Sequence, residues 1–178
     1  MEEKQRSQAV QAMIFGCITA AASIVYSLLV FILNLYMSQV LQYAGMILTI
    51  GGMVWGAYSY RKEYLKGFMT YGQSVSLTFL IGLFASIIGI VYTFIYFKYI
   101  NPGMVDELLA QTREKMMAKS GQMSEDQMDQ ALAMTAKFMH PAWMAVWGFL
   151  ANAFFSLVLA MLVSIFMKKK DKNLQPMI

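Results

Sequence analysis

Long uncharged stretches alternate with short charged ones along this chain. No charged residue occurs between Ser7 and Tyr60, and two further apolar runs cover 74–97 and 142–166. A helix that crosses a membrane needs roughly 20 apolar residues, so the first stretch is long enough for two helices joined by a turn. We therefore predict an all-α membrane protein built as a four-helix bundle. The predicted spans cover about residues 10–35, 40–60, 74–98 and 142–166.

The segment between the last two apolar runs has a different character. Residues 101–140 are polar and rich in methionine, with apolar residues recurring every three or four positions. This period is typical of amphipathic helices, and Ser120-Gly121 interrupts it. We therefore predict an extramembrane hairpin with two helical arms between the third and fourth spans. Its apolar stripes provide a candidate partner surface, which consists of Met104, Leu108, Met116, Met128, Leu132 and Met139.

The basic residues predict the orientation, because lysine and arginine are enriched in short cytoplasmic loops. They occur in the N-terminal tail, after the second span and in the C-terminal tail, at Lys4, Arg6, Arg61, Lys62, Lys66, Lys168, Lys169, Lys170 and Lys172. The hairpin also has basic residues, but acidic residues offset them over a longer segment. We expect one membrane domain over 1–178, with both termini cytoplasmic and the hairpin on the extracytoplasmic side.

Composition agrees with lipid-immersed helices and excludes several classes of site. The chain is 58% hydrophobic and 13% charged, with a mean hydropathy of +0.51, whereas soluble domains carry about 25% charged residues. The net charge is +4, but the basic residues lie beside apolar runs and do not form the aromatic-flanked patch of a nucleic-acid binder. With one cysteine, Cys17, and one histidine, His140, we expect no intrachain disulfide, no metal site and no cofactor.

Small side chains recur at four-residue spacing within the predicted spans. Such residues let helix backbones approach closely in lipid, where packing drives helix association. Two interpretations remain open, namely contacts within one bundle and the seam of a homodimer. The predicted packing residues are Gly16, Ala20, Gly52, Gly56, Gly82, Ser86, Gly148 and Asn152.

The sequence offers no catalytic constellation. No Asp, Glu, Arg or His falls inside a predicted span, although proton relays and ion-coupled carriers normally need one. His140 has no serine or cysteine partner close to it in sequence, and no phosphate-binding or nucleophile motif occurs. The 17 methionines lack the closely spaced clusters that monovalent copper requires. We interpret them as core filler or as an adaptable binding surface.

Short motifs between Gly67 and Pro102 resemble those of an uncharacterised family of small bacterial inner-membrane proteins, which is known as a domain of unknown function. The motifs are Gly67-Phe68, Tyr71-Gly72-Gln73, Gly82, Tyr92-Thr93 and Tyr99-Ile100-Asn101-Pro102, with Met123-Ser124-Glu125 in the hairpin. The resemblance implies a bacterial origin and four helices, and it implies no substrate or active residue. Members of that family often carry an acid where this chain has Asn101, so no role is carried over to that position.

These observations favour a non-enzymatic protein of the inner membrane. We expect an accessory subunit or scaffold that binds a membrane or periplasmic protein through the outer hairpin, because that hairpin is methionine-rich and amphipathic. The alternative is a small homodimeric translocator of a lipid or hydrophobic solute, which the glycine faces and the uncharged spans favour. Under both hypotheses the lipid bilayer surrounds most of the protein, and neither hypothesis involves nucleic acid.

Overall fold

The computed structural model is helical throughout the part of the chain that it describes. It describes the backbone of 2–35, 38–119 and 125–169, and their side chains except those of 2–7, 39, 42, 118, 119 and 125. The elements are α1 (Glu2–Ile32), α2 (Gln39–Tyr64), α3 (Tyr71–Ile95), a π-helical turn (Tyr96–Ile100), α4 (Met104–Lys119), α5 (Glu125–Phe138) and α6 (Pro141–Met167). The predicted all-α class is confirmed for these residues, and the predicted break at Ser120-Gly121 lies outside them.

Among the described residues, three helices are long and apolar enough to span a membrane. They are Gln8–Ile32, Tyr71–Ile100 and Pro141–Met167, which cover the spans predicted in α1, α3 and α6. Only 22% of the apolar stretch of α1, 33% of that of α3 and 22% of that of α6 is buried. A water-soluble monomer rarely exposes so much contiguous apolar surface, so these helices are typical of a membrane protein.

The predicted span at 40–60 falls on α2, which is not among those three helices. It has 26 residues, which at 1.5 Å per residue correspond to a length of about 39 Å. Its outer surface includes Val40, Ile47 and Trp55, each more than half exposed. A fourth span in α2 therefore stays a prediction.

The helix ends follow recognisable local signals. Asn34 follows the end of α1 and has a φ of 55°. Asparagine tolerates this left-handed conformation better than most residues do. The amide of Leu35 donates to the carbonyl of Val30 at 3.0 Å, which is the long hydrogen bond of a Schellman motif. At the start of α3, the Gln73 amide donates to Thr70 Oγ1 and the Thr70 amide to Gln73 Oε1, at 3.3 and 3.1 Å. This reciprocal pair is a capping box.

The structure divides into two compact units, Met1–Gly89 with Leu150–Ile178 and Ile90–Phe149. In the first unit, apolar side chains of α1, α2, α3 and the connection between α2 and α3 form one core cluster, against which Leu159 of α6 packs. Its buried members are Ala12, Phe15, Met53, Ala57, Tyr60, Met69, Leu77 and Ile81.

Glycines allow α1 to lie close to α2 and α3 in the first unit. A Cβ added at Gly16 would lie 2.6 Å from the Cβ of Phe84, and one at Gly52 would overlap the side chain of Thr19. Real Cβ atoms do not reach such distances, so any larger residue at these two positions would push the helices apart.

Two more glycines lie at close contacts in the same unit. A Cβ at Gly56 would lie 3.0 Å from Cγ of Phe15 and would also crowd Ile81. A Cβ at Gly82 would lie 2.7 Å from the Cβ of Ser156 on α6. The contacts of Gly56 and Gly82 therefore tie α3 to the neighbouring helices of this unit.

Polar contacts join the end of α6 to the connection between α2 and α3. Met69 and Lys169 exchange backbone hydrogen bonds of 3.0 and 2.9 Å, as an isolated antiparallel bridge. Arg61 Nη1 donates to the carbonyl of Met167 at 2.9 Å. The last carbonyls of a helix lack partners within it, so a cation placed there is stabilising. We call Arg61, Met69, Met167 and Lys169 the C-terminal clasp.

The second unit contains the π-helical turn and the two arms α4 and α5, which contact each other. The amide of Asn101 donates to the carbonyl of Tyr96 at 2.8 Å, the five-residue span that defines a π turn. Asn101 is buried, and its Nδ2 lies 3.5 Å from the hydroxyl of Tyr96. Between the arms, Arg113 and Asp129 form an ion pair of 3.8 Å with exposed side chains, which contributes little to stability.

Gly52→Ala should destabilise the protein by about 1–3 kcal/mol, because the new methyl group overpacks the contact with Thr19. The neighbouring Gly51 has no atom within 4 Å of an added Cβ, so Gly51→Ala is a matched control. It should be neutral or stabilise α2 by roughly 0.5–1 kcal/mol, since alanine is the better helix former. Thermal unfolding of both variants in detergent tests this, and equal melting temperatures would contradict it.

Arg61→Met should destabilise the first unit by about 1.5–3 kcal/mol, because it removes a charged hydrogen bond to the end of α6. Hydrogen exchange at the amides of Met69 and Lys169 should also become faster, since the Arg61 contact and the backbone bridge secure the same segment. Lys62→Met serves as the control, as Lys62 is exposed and should tolerate the change. Unaltered exchange in the Arg61 variant would show that the clasp does not act as one unit.

Candidate functional site

A cavity of about 330 Å³ lies between α2 and α6 in the first unit. No lining residue is charged, and apolar walls surround three polar side chains. Pockets of this kind bind small, mostly apolar ligands. We call this cavity the α2–α6 groove, and it is lined by Gly45, Met46, Thr49, Asn152, Phe155, Ser156 and Leu159.

Two small residues line the groove, Gly45 on α2 and Ser156 on α6. Gly45 contributes no side chain, and a Cβ built there would lie 3.6 Å from the ring of Tyr26, at ordinary contact distance. On α6, the small side chain of Ser156 is buried against Gly82. A larger side chain at Gly45 would therefore extend toward Tyr26 of α1, and one at Ser156 would press on Gly82 of α3.

The polar atoms of the groove lie well inside the two helices. At 1.5 Å per residue, Asn152 lies about 17 Å from the start of α6 and Thr49 about 15 Å from the start of α2. Thr49 Oγ1 donates to the carbonyl of Gly45 at 3.2 Å, and Asn152 is exposed. The groove therefore carries hydrogen-bonding groups at a depth where a spanning helix is surrounded by hydrocarbon.

The structure places the predicted packing residues in two different environments. Gly16, Gly52, Gly56 and Gly82 lie at the close helix contacts of the first unit, where Ala20 and Ser86 are also buried. Asn152 lines the groove, whereas Gly148 has no atom within 4 Å of an added Cβ. The four-residue spacing thus occurs both at packed contacts and on an open helix face.

Most stripe residues of the hairpin are covered rather than outward-facing. Met128 is buried, and the remaining ones, Met104, Leu108, Met116, Leu132 and Met139, are half-buried. Among the hairpin side chains that the structure describes, the exposed large apolar ones are Met117, Met134 and Phe138, at 55%, 63% and 52%. Periodicity alone does not identify Met117 and Met134, because they lie beside the stripes.

His140 has a local structural contact. Its Nδ1 accepts a weak hydrogen bond of 3.4 Å from the amide of Ala142, in the first turn of α6. The free Cys17 is exposed on α1. Within the described ranges, no group of three or more His, Cys, Asp and Glu side chains is arranged to hold a metal ion.

Comparison with known proteins identifies a family but no activity. Residues 14–169 match the family described as "Protein of unknown function (DUF4199)". No curated protein and no solved structure matches the chain. The predicted resemblance to an uncharacterised domain family is confirmed. Since the match covers most of the sequence, the chain belongs to the DUF4199 family of proteins of unknown function.

Proposed function

We propose that this chain is a non-enzymatic, four-span protein of a bacterial inner membrane that acts as an accessory subunit or scaffold. The contacts of α2 support its role as the fourth span. Gly52 lies against Thr19 of α1, and Gly56 lies against Ile81 of α3. Because α1 and α3 are candidate spans, a helix packed between them shares their depth in the bilayer.

The C-terminal clasp supports the proposed orientation. It joins the end of α6 to the α2–α3 connection, so Arg61 and Lys169 belong to the same end of the first unit. At this end, Gln8 Nε2 of α1 also donates to the carbonyl of Gln73 at 3.3 Å. The basic flanks of three helices thus gather at one end, as the enrichment of lysine and arginine on the cytoplasmic side requires.

The exposed apolar side chains of the hairpin support partner binding. Met134 and Phe138 are four residues apart on α5 and therefore share one face, on a segment otherwise rich in charged residues. Amphipathic helices dock into apolar grooves through side chains at this spacing. Met134 and Phe138 carry the proposal, and the partner is a membrane or periplasmic protein that offers them an apolar surface.

Photocrosslinking in intact cells tests this proposal. A photoreactive residue at Met134 or Phe138 should give one discrete protein adduct, reproducible between preparations and identifiable by mass spectrometry. The same residue at Met128 should not give it, because Met128 is buried. Adding Phe138→Ser to the Met134 probe should remove the adduct, since it deletes half of the apolar face. Exclusive formation of lipid adducts or self-adducts would refute partner binding through the hairpin.

The α2–α6 groove favours a second candidate function, a homodimeric translocator of a lipid or hydrophobic solute. It places three polar side chains among apolar walls beside α6, which is a candidate span. One chain encloses only about 330 Å³ there, near the lower limit for pockets that hold small molecules. A continuous path across the bilayer would therefore need a second copy.

Reconstitution into liposomes tests this second candidate. Vesicles containing the protein should expose fluorescent lipid from the inner leaflet to an impermeant reductant faster than protein-free vesicles do. Met46→Trp places a bulky ring at the groove wall and should slow this movement. Lys62→Met, which changes a residue outside the groove, should not. Movement no faster than in protein-free vesicles would exclude translocation of the lipid used.

A further inference from the structure

We infer that lysines beside the C-terminal clasp bind the phosphate of an anionic phospholipid, such as phosphatidylglycerol, from the surrounding membrane. Lys66 lies in the connection between α2 and α3, and Lys168 and Lys169 follow the end of α6. We call these three lysines the basic patch. A lipid bound there joins two segments that are distant along the chain and stabilises the clasp. The inference is independent of partner binding and of translocation.

Backbone hydrogen bonds hold the two segments of the basic patch side by side. Met69 and Lys169 exchange hydrogen bonds of 3.0 and 2.9 Å as an antiparallel bridge. The amide of Lys168 donates to the carbonyl of Ser164 at 3.1 Å, so the helical hydrogen bonding of α6 continues up to the bridge. Both lysines that follow α6 therefore start from an anchored backbone next to the α2–α3 connection.

Lys66 lies at the tip of a tight turn in that connection. The amide of Phe68 donates to the carbonyl of Leu65 at 3.0 Å, and Lys66 and Gly67 between them have φ values of 51° and 88°. A turn with positive φ at both central residues favours glycine, asparagine or aspartate, and a lysine there is strained. Strain of this kind persists where a side chain is needed for function, which points to a role for the Lys66 ammonium group.

The positive charge of the basic patch is not compensated by the protein. Lys66, Lys168 and Lys169 are exposed, and within the described ranges none of them forms an ion pair. Glu63 is the nearest acidic residue in sequence, and its Oε1 accepts a hydrogen bond from Ser59 Oγ at 3.3 Å. Lysines without a counter-charge near a membrane surface attract anionic lipids.

The surroundings of the basic patch favour a lipid over a soluble anion. The candidate span in α6 ends at Met167, so the lysines directly after it lie where the helix leaves the hydrocarbon. Phe68 and Tyr71 are 38% and 42% exposed in and just after the α2–α3 connection, and aromatic rings accumulate at the head-group level. A phospholipid can contact the rings with its acyl chains and the lysines with its phosphate, whereas a soluble anion uses only the lysines.

Native mass spectrometry of the full chain in detergent tests the inference, with phosphatidylglycerol and phosphatidylcholine of identical acyl chains. Phosphatidylglycerol should bind more tightly. Lys66→Gln and Lys168→Gln should each weaken its binding about fivefold, the factor expected when one lysine near the phosphate is lost. Lys115→Gln removes one exposed charge from α4 and should leave the binding unchanged.

Two further measurements separate loss of the site from loss of the fold. Lys66→Gly should weaken phosphatidylglycerol binding as Lys66→Gln does. In phosphatidylcholine alone it should raise the melting temperature by about 2–4 °C, because glycine relieves the strained turn. In vesicles, phosphatidylglycerol should slow hydrogen exchange at the amides of Met69 and Lys169 in the wild-type chain and not in Lys66→Gln.

Four results would overturn the inference. Equal binding of the two lipids would show that no phosphate site for anionic lipid exists. A loss in Lys115→Gln as large as in Lys66→Gln would show that net charge alone attracts the lipid. Competition by glycerol phosphate as effective as by the lipid would identify a site for a soluble anion. Exchange at Met69 and Lys169 that is the same in both lipids would show that the lipid does not join the two segments.

Discussion

Close approach of helix backbones at glycine is the constraint on which the first unit depends. Lipid chains are as apolar as leucine side chains, so the hydrophobic effect does not hold spanning helices together, and packing must do so. The contacts of Gly52 with Thr19 and of Gly82 with Ser156 place helices near enough for dispersion to act along their length. Met53 and Ile81 become buried between these contacts, so the core depends on the glycines.

The positions of three of the four predicted spans are confirmed, because bilayer thickness sets a minimum length for an uncharged run. The partner of each small residue is not readable. Gly82 and Gly148 both begin a four-residue small pattern, yet Gly82 lies against Ser156 and Gly148 faces open space. A four-residue spacing of small residues allows two helices to approach closely. Whether they do so depends on which helix lies beside those residues.

Other features cannot be predicted from the sequence, because they depend on contacts between segments that are distant along the chain. The groove combines Gly45 with Ser156, and neither is unusual within its own helix. Hairpin periodicity identifies the stripe that includes Met128, but only the folded structure shows that Met128 is buried and Met134 exposed. The π turn before Asn101 lies at the end of an otherwise regular apolar run, where Pro102 and Gly103 predict a helix end but not a π turn.

The polar residues of the spans differ in how their own helix satisfies them. Thr19 and Thr78 are buried, and each hydroxyl donates to the carbonyl four residues earlier at 2.7 Å. Such side chains are small, and their hydroxyl groups already have a hydrogen-bond acceptor. They can therefore pack between helices without a ligand. A carboxamide carries two donors and an acceptor, more than one helix carbonyl can match. Asn152 also differs from these threonines in its position, because it lines the α2–α6 groove on an exposed part of α6 and does not lie at a buried helix contact.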